Sequence, residues 1–257
     1  MASREPFSAV IITLNAAAQI EACLQSIAFA DEVLVVDCGS TDATLALAEK
    51  AGARILHQDW LGYGAQKQFA ISQAKHDWVL CLDADERVSD PLRAATEAAL
   101  VAPQVTGFEM SRCNRFMGRW LRHGEGYPDW SLRLFKRSQG RWSDDSVHEK
   151  VVLNGAPARL HGDLMHESAE DLMLYLDKQN RYTTLQAKAL WHRGKHASVA
   201  QMVLSPLLRF VKFYVLRLGF LDGVAGLVHI AIGCHNSFMK YAKLRAMENN
   251  AKSRRLG

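Results

Sequence analysis

Short apolar segments alternate with amphipathic segments through the first hundred residues of the chain. The apolar segments are rich in β-branched residues and have the length of strands, whereas the amphipathic segments carry apolar residues at helical spacing. Strands are predicted at residues 7–13, 32–37, 54–57 and 78–82, and helices near residues 20–27, 45–48, 62–74 and 91–100. Strands that alternate with helices predict an α/β fold with a mostly parallel, doubly wound sheet and right-handed crossovers.

Polar side chains stand at the ends of three of these predicted strands. Asn15 comes after the first strand, Asp37 ends the second, and Asp83 and Asp85 come after the fourth. Ligands of open α/β sheets bind at the carboxyl ends of the strands, so these side chains are candidates for one binding site. The apolar residues that follow at helical spacing also predict Asn15 as the N-cap of the first helix.

The carboxylates of Asp83 and Asp85 allow two interpretations. If the chain turns after the strand, both converge on one hard cation, and oxygen ligands of this kind suit Mg²⁺ or Mn²⁺ shared with the phosphates of a nucleotide. The alternative is an acidic turn that caps the helix beginning at Pro91. A second acidic cluster between residues 144 and 149 is another candidate for the chemistry.

Between residues 101 and 170 the pattern is less regular. Strands are predicted at 107–111, 131–136 and 151–153, and the second of these should be half-exposed because its apolar and polar residues alternate. Residues 112–130 are predicted as a loop, and loops of this length are uncommon unless they have a function. Four arginines in this loop either contact a phosphorylated acceptor or form a solvated face: Arg112, Arg115, Arg119 and Arg122.

From Asp171 onwards the pattern predicts helices. The first extends to about Trp191, and residues 199–218 and 219–239 are apolar and aromatic with basic or histidine residues among them. Neither stretch is an uninterrupted apolar span of about 20 residues. Basic residues among aromatic ones fit a helix that lies in the interfacial plane of a membrane. The alternative is a helical hairpin packed on the main domain or in an oligomer, and residues 240–255 are predicted as a frayed basic tail.

The net charge of +4 hides an asymmetry between the two parts of the chain. Residues 171–257 carry fourteen Lys or Arg against four Asp or Glu, a net charge of +10, and residues 1–170 carry the remaining −6. We therefore predict two domains, 1–170 and 171–257, of which the basic one faces an anionic membrane. Its charges are interleaved with long apolar runs, which argues against nucleic acid as the partner.

Cysteine usage and the start of the chain predict the compartment. The five cysteines form no Cys-x-x-Cys pair and stand mostly in apolar segments, as reduced core cysteines of cytosolic proteins do. The first residues run into a strand without the apolar region of a signal peptide. We expect a cytoplasmic protein.

Several motifs together resemble a known family. In order and spacing, four of them resemble the nucleotide-sugar-binding half of inverting family 2 glycosyltransferases with the GT-A fold: Thr13 to Asn15, Val35 to Asp42, Gly64 to Lys67 and Leu82 to Glu86. Three later stretches resemble the bacterial branch that glucosylates the lipopolysaccharide inner core: Ser131 to Phe135, Val147 to Glu149 and Leu172 to Tyr182. The chain departs from the family at Ala16, where relatives often carry Glu, and no role is assigned there. The implied fold is α/β, a GT-A-type doubly wound mixed sheet with a C-terminal helical, membrane-associating extension.

The resemblance implies roles for the matched residues in binding the donor and the metal. The residues implied to bind a UDP-sugar are Leu14, Asn15, Asp37, Gly39, Lys67 and Asp83. Of these, Asp37 would accept a hydrogen bond from the uracil ring, and Lys67 would approach the ribose or the diphosphate. Asp85 would hold Mg²⁺ or Mn²⁺ against the phosphates. His166 is either a second metal ligand or a structural histidine.

The resemblance also implies a catalytic base. Glu149 follows the metal motif at the position of the family's catalytic acidic residue and is the predicted base. Asp144 and Asp145 are the alternatives, and His148 would position Glu149.

The implied reaction is the metal-dependent, inverting transfer of a hexose, glucose above others, from a UDP-sugar to a heptose of the lipid-linked lipopolysaccharide core. The enzyme would bind peripherally to the cytoplasmic face of the inner membrane. The C-terminal helices are also compatible with a homo-oligomer. A second interpretation is a UDP-N-acetylhexosamine or UDP-galactose transferase that acts on a polyprenyl-linked or other cell-envelope glycan. A third, from another class, is a non-catalytic nucleotide-sugar-binding membrane scaffold.

Overall fold

The computed structural model describes residues 3–143, 149–167 and 171–256. The chain divides into two compact units, the first formed by Met1–Cys113 and Asp129–Glu167 and the second by Asn114–Pro128 and Ser168–Gly257. Residues 114–128 therefore group with the C-terminal helices although they precede part of the first unit in the chain. The domain boundary between residues 170 and 171 stays a prediction.

The helices and strands follow one another closely along the chain. The strands are β1 Phe7–Thr13, β2 Glu32–Asp37, β3 Arg54–His57, β4 Trp78–Asp83, β5 Glu86–Val88, β6 Gly107–Phe116, β7 Arg119–Trp120, β8 Asp129–Lys136, β9 Gly140–Trp142, β10 Val151–Leu153 and β11 Ala158–His166. The helices are α1 Ile20–Ser26, α2 Thr44–Lys50, α3 Tyr63–Ser72, α4 Asp90–Ala99, α5 Leu172–His192, α6 Val199–Phe210 and α7 Gly223–Leu256. A π-helical turn, Val211–Leu216, and a 3₁₀ turn, Gly219–Asp222, lie between α6 and α7.

The first unit is built around one mixed sheet. Its strand order is β3-β2-β1-β4-β8-β6-β11-β5. Strand β1 runs parallel to both β2 and β4, β2 runs parallel to β3, and β8 returns antiparallel to β4. The predicted α/β class, the doubly wound mixed sheet and the helical C-terminal region are confirmed.

The hydrophobic pattern of β1 explains why helices cover both faces of the sheet. All seven residues of β1 are buried, and alternate side chains enter opposite apolar layers. Ala9 and Ile11 belong to the layer that contains Leu80, whereas Val10 and Ile12 pack in the layer that contains Ile71 of α3. A strand that is apolar on both faces is stable only when both faces are covered, as in doubly wound folds.

The arrangement of β1, β2 and β4 positions the candidate site. Thr13 pairs with Asp37 of β2, and Ile12 pairs with Asp83 of β4, so the carboxyl ends of the three strands form one edge. The chain leaves β1 towards β2 and β3 and returns to the other side of β1 as β4, which creates a topological switch point between β1 and β4. Ligands of open α/β sheets bind in the crevice at such a point.

Three predictions about secondary structure are wrong. Asn15 is not an N-cap, because α1 begins at Ile20 and Asn15 has a left-handed backbone conformation with φ 51°. Residues 112–130 are not one loop, because β6 continues to Phe116, and its residues Arg115 and Phe116 pair with β7. The basic tail is not frayed from Lys240, because α7 continues through residue 256.

Tertiary contacts account for the long α7 and for the strands that the pattern missed. Glu248 of α7 accepts a hydrogen bond from the backbone N–H of Ala197 at 2.9 Å, and Leu244 is fully buried. Strands β5, β7, β9 and β11 were not predicted. The first three have only two or three residues each, and Gly162 interrupts the apolar pattern of β11.

In the second unit, Asp222 holds segment 114–128 in place. This carboxylate is 2% exposed and accepts hydrogen bonds from the backbone N–H groups of Arg122 at 3.0 Å and His123 at 2.8 Å.

Within the described part of the chain, one helical stretch, Val199–Leu216, is long and apolar enough to cross a membrane by length and composition, with a mean hydropathy of 1.4.

A buried carboxylate between β1 and β2 provides a test of the fold. Glu32 accepts hydrogen bonds from Ser8 Oγ at 2.5 Å, the Lys75 N–H at 2.7 Å and Arg54 Nε at 2.9 Å. Burial opposes ionisation of Glu32, but these three donors outweigh it and lower its pKa. A lowered pKa stabilises the fold at neutral pH, and this stability is lost as the pH falls through the lowered value.

We therefore expect Glu32→Gln to lower the free energy of unfolding at pH 7.5 by about 2 kcal/mol, the value of hydrogen bonds to a charged group. The difference from wild type should shrink as the pH falls below about 4, the ordinary pKa of glutamate. Urea unfolding at several pH values measures both effects. Glu97→Gln removes a carboxylate from an exposed pair with Arg93 at 3.6 Å and serves as the control. Equal stability of Glu32→Gln and wild type at pH 7.5 would contradict the expectation.

Candidate active site

The loops that follow β1 and β2 are tied to each other by polar side chains. Asp37 is 2% exposed, and its Oδ2 accepts hydrogen bonds from the backbone N–H groups of Gly39 and Ser40, both at 2.8 Å. The hydroxyl of Ser40 donates to Asp37 Oδ1 and also accepts from the backbone N–H of Asn15 at 2.8 Å. The Asn15 side chain then accepts from the Thr41 N–H at 2.9 Å. These contacts fix the two loops next to each other at the carboxyl edge of the sheet.

Leu14 and Gly39 complete this pair of loops. The Leu14 side chain is 54% exposed although it follows a fully buried strand. Gly39 has φ 109°, a conformation that side chains disfavour, and it lets the loop turn back onto Asp37. The predicted donor-binding residues Leu14, Asn15, Asp37 and Gly39 therefore lie together, with Leu14 facing solvent.

A buried network of charges begins at the end of β4. Arg133 Nη2 of β8 lies 3.0 Å from Asp83 Oδ2 and 2.7 Å from Glu86 Oε1. The other oxygen of Glu86 accepts the backbone N–H of Asp83 at 3.0 Å, which closes the turn between β4 and β5. The Glu86 side chain is fully buried, and that of Arg133 is 6% exposed. A buried charge that loses its partner costs about 3 to 5 kcal/mol, so these three side chains hold one another in place.

On one side, the network reaches the predicted base. Lys67 of α3 lies with Nζ 3.0 Å from Asp83 Oδ1 and 3.1 Å from Glu149 Oε1. The ammonium group also sits 4.8 Å from the centroid of the Trp142 ring, a cation–π contact. The Lys67 side chain is 7% exposed, so one buried cation links the end of β4 to Glu149.

The glycine at the start of α3 allows this approach. A Cβ at Gly64 would lie 2.4 Å from the backbone oxygen of Ser143, so a larger residue would push the two segments apart. Lys67 follows one turn later on α3 and faces Glu149. The Ser143 N–H donates to the Lys150 oxygen at 2.8 Å, which holds Glu149 next to this contact. Predicted residues Asp144, Asp145 and His148 lie outside the described residues.

On the other side, the network reaches the predicted metal ligands. Arg112 of β6 lies with Nε 3.4 Å from Glu86 Oε1 and with Nη2 3.0 Å from each ring nitrogen of His166. His166 Nε2 lies 3.2 Å from Asp85 Oδ2. Asp85 and His166 come together because β11 pairs antiparallel with β5, placing His166 opposite Glu86 directly after the turn. Asp85 and His166 are therefore neighbours in the fold although 80 residues lie between them in the chain.

The electrostatics of the network follow from burial and pairing. Burial opposes ionisation of Asp83, but the charges of Arg133 and Lys67 outweigh it and hold the pKa of Asp83 well below its usual range. Burial is the largest effect on Glu86, and together with the negative charge of Asp83 it raises the pKa of Glu86 in spite of the arginines. Asp83 is thus the carboxylate kept ionised, and it lies at the sheet edge.

The site carries more negative than positive charge. With histidine counted as neutral, the network contains four carboxylates and three cationic side chains, a net charge of −1. The carboxylates are Asp83, Asp85, Glu86 and Glu149, and the cations are Lys67, Arg112 and Arg133. The ionised carboxylates repel an anionic diphosphate, and a cation that binds with it would weaken this repulsion.

The spacing of the Asp85–His166 pair fits a divalent cation. The two ligand atoms lie 3.2 Å apart, close to the separation of about 3 Å between neighbouring ligands of an octahedral ion with bonds of about 2.1 Å. The described residues contain no group of three or more His, Cys, Asp or Glu that could hold a metal. Two protein ligands suffice for an ion that takes its remaining ligands from substrate phosphates and water, so the residues fit.

Three functional candidates were missed or misjudged in the sequence. Arg133 was expected on a half-exposed strand, but both faces of β8 are covered at that point and the arginine is buried. Arg112 was placed in a loop, whereas it lies on β6 beside His166. Glu86 belongs to the motif Leu82 to Glu86, but no role was predicted for it. The sequence gives no local signal for the burial of Glu86, because the charged residue Arg87 follows it.

Comparisons with known proteins agree with this architecture. Residues 8–150 match the model of the family described as glycosyl transferase family 2. A lipopolysaccharide core biosynthesis glycosyltransferase, LpsC of Rhizobium meliloti, is 31% identical over 252 residues, which are 95% of this chain and 93% of that protein. An uncharacterised glycosyltransferase of Rickettsia felis is 32% identical over 94% of this chain and 90% of its own length.

One solved structure supports the fold. Glucosyl-3-phosphoglycerate synthase from Mycobacterium tuberculosis, in complex with phosphoglyceric acid, matches with a TM-score of 0.50 and 19% identity over 76% of this chain and 82% of that chain. The resemblance noted in the sequence is thus confirmed by the family model and by relatives that span nearly the whole chain. This chain belongs to glycosyl transferase family 2 and is a glycosyltransferase.

Proposed function

We propose that this glycosyltransferase moves glucose from UDP-glucose to a heptose of the lipopolysaccharide inner core, in a metal-dependent reaction that inverts the anomeric centre. The observation that carries the proposal is the continuous charge network at the topological switch point, which joins the Asp85–His166 pair to Glu149. The name of LpsC, a lipopolysaccharide core biosynthesis glycosyltransferase, supports the choice of acceptor.

The donor is assigned to the crevice between the ends of β1, β2 and β4. Leu14 and Asn15 line the base and ribose pocket, and Asp37, which is 2% exposed, accepts a hydrogen bond from the uracil ring. Asp83, which stays ionised, contacts the ribose or the metal. Lys67 lies between Asp83 and Glu149 and approaches the ribose or the diphosphate.

Asp85 and His166 are the residues that would hold Mg²⁺ or Mn²⁺. The bound ion supplies Lewis-acid stabilisation of the charge that develops on the departing diphosphate. An ion held by these two residues would also offset the carboxylates of the network, which would favour a bound nucleotide diphosphate. Arg112 and Glu86 keep His166 in position through their own contacts.

Glu149 acts as the general base in a single displacement. An acceptor hydroxyl attacks the anomeric carbon from the face opposite the nucleotide, while its proton passes to the Glu149 carboxylate. The new bond joins the acceptor oxygen to the anomeric carbon, and the bond from that carbon to the β-phosphate oxygen breaks with its electron pair, so that UDP leaves. The base must lie within hydrogen-bond reach of the hydroxyl.

The acceptor is lipid-linked and presented at the cytoplasmic face of the inner membrane. The net charge of +10 on residues 171–257 supports an anionic membrane surface as a partner, because each Lys or Arg near such a surface contributes about 1 kcal/mol. The enzyme is therefore peripheral and works from the cytoplasm.

The test is release of UDP by the purified protein from a panel of UDP-sugars, with Mn²⁺ or Mg²⁺ and a deacylated, heptose-containing core as acceptor. We expect release from UDP-glucose that depends on the acceptor and is lost with EDTA. Release from UDP-galactose or a UDP-N-acetylhexosamine instead would replace the donor. No metal-dependent release from any sugar, with UDP binding intact, would contradict the proposed substrates and favour a binding protein.

A further inference from the structure

The outward face of the helix at Val199–Leu216 is apolar. Burial in this stretch follows a helical period, with pairs of exposed positions separated by pairs of half-buried ones. Apart from Gln201 and Lys212, the large exposed side chains on this face are apolar. We call the apolar ones the α6 stripe: Val199, Val203, Leu204, Leu207, Leu208, Val211, Val215 and Leu216. Each is between 48% and 72% exposed.

The inward face carries polar and aromatic side chains. Arg209 is turned inward, where it pairs with Glu125 and donates from Nη1 to Ser237 Oγ at 3.1 Å. Phe210 stacks on Tyr214 with ring centroids 4.9 Å apart, and both are half-buried. A helix on the surface of a water-soluble domain has the opposite polarity, with its apolar stripe towards the core. The α6 stripe is therefore built to face a medium other than water.

The apolar surface continues beyond the stripe. After the π-helical turn the chain bends through Leu218, and the next exposed side chains include Phe220, Leu221 and Val224. Contiguous exposed apolar areas of this kind mark interaction sites rather than ordinary surface.

Charges around the stripe favour a lipid surface as the occupant over a second copy of the chain. Lys212 and Arg217 are exposed at its edge, and the surrounding region 171–257 has a net charge of +10. Two copies that met through this face would bring like charges together. An anionic headgroup layer instead complements them and receives the apolar side chains beneath.

The same charges favour a helix that lies in the membrane plane over one that crosses it. The stretch is 18 residues long, about 27 Å of helix, so its length alone permits crossing. Crossing would place Lys212 within the hydrocarbon and would carry the Arg209–Glu125 pair with it, which is costly. In the plane, Lys212 reaches the headgroups while its methylene groups lie along the apolar boundary.

We propose that the α6 stripe inserts, parallel to the surface, into the boundary between headgroups and acyl chains of an anionic bilayer leaflet. This proposal specifies how the enzyme would bind the membrane, and it rests on the proposed function only for which membrane that is. Insertion of apolar side chains also changes the expected response to salt. Salt screens the basic residues but not the apolar contact, so binding weakens with salt without being abolished.

The first experiment compares Leu207→Asp/Leu208→Asp with the full-length wild type in sedimentation with phosphatidylglycerol–phosphatidylethanolamine vesicles. We expect the wild-type partition coefficient to fall by at least tenfold in the double variant at 0.1 M NaCl, and wild-type binding to persist in part at 0.5 M NaCl. Val152→Asp places a charge at an apolar side chain, 44% exposed, in the first unit and should bind as wild type does. Equal binding of the double variant and wild type would overturn the proposal.

Two further readouts separate this inference from its alternatives. Transfer to the deacylated core, which needs no membrane, should be unchanged in the double variant, so failure of the proposed activity is seen independently of failure to bind vesicles. Spin labels at Val203→Cys, Leu207→Cys and Val215→Cys should report equal, shallow depths, with the unsubstituted protein as the labelling background. A depth gradient along the three positions would establish a spanning helix. A wild-type dimer in sedimentation velocity that the double variant dissociates would assign the stripe to a second copy of the chain.

Discussion

Replacement of Asp85 by alanine is expected to lower the rate of sugar transfer by about a thousandfold. Asp85 and His166 are the pair proposed to hold a divalent ion at this edge of the sheet, with Asp85 Oδ2 3.2 Å from His166 Nε2. Lewis-acid stabilisation of a leaving phosphate is worth several kcal/mol, and about 1.4 kcal/mol corresponds to a factor of ten in rate. Transfer rates at saturating Mn²⁺ and UDP-glucose measure the effect, and Mn²⁺ binding followed by electron paramagnetic resonance should weaken in parallel.

The chain offers a matched control for this substitution. His57 and Asp59 form another pair with Nε2 and Oδ1 3.2 Å apart, but their side chains are 64% and 93% exposed. Asp59→Ala therefore removes the same contact where no ligand site is proposed, and it should change neither transfer nor Mn²⁺ affinity. If Asp85→Ala bound Mn²⁺ as tightly as wild type in the presence of UDP, the assignment of the metal to Asp85 and His166 would be wrong.

The edge of the sheet was predictable because it depends on local sequence. Strands β1, β2 and β4 are short apolar runs ending in polar residues, and parallel pairing then places Asp37 and Asp83 beside the end of β1. Helical and strand periods, which are local properties, decide these elements. The sequence did not decide whether the chain turns tightly after β4. That turn depends on a hydrogen bond from the Asp83 N–H to the side chain of Glu86.

The contacts inside the site could not be predicted from the sequence, because they join residues that are far apart in the chain. Arg133 alternates with apolar residues as a surface side chain would, and only the covering of both faces of β8 buries it against Asp83 and Glu86. His166 was named from the family resemblance, but β11, which brings it to Asp85, was not predicted. The sequence predicted Asn15 as an N-cap, whereas its side-chain oxygen accepts a hydrogen bond from the Thr41 N–H in the neighbouring loop. Local polarity identifies such residues, but partners from other strands determine what they do.

Replacement of Glu149 by glutamine is expected to reduce the rate constant for transfer by a factor between about 10² and 10⁴, the usual contribution of a general base. Glutamine keeps the size of the side chain but cannot accept the proton of the acceptor hydroxyl. The affinity for UDP should change far less, since Lys67 retains its contact with Asp83 at 3.0 Å. Single-turnover transfer and calorimetric titration with UDP separate the two quantities.

Loss of the Lys67–Glu149 ion pair is a second consequence of the same substitution, and it has to be distinguished from loss of the base. Lys67→Met removes that pair while leaving the Glu149 carboxylate, so it should weaken binding of the donor more than it slows transfer from bound donor. The opposite split is expected for Glu149→Gln. Asp145, which lies outside the described residues, supplies the decisive comparison. Near-wild-type transfer by Glu149→Gln together with loss of transfer in Asp145→Asn would move the base to Asp145, and Glu149 would then be the residue that positions Lys67.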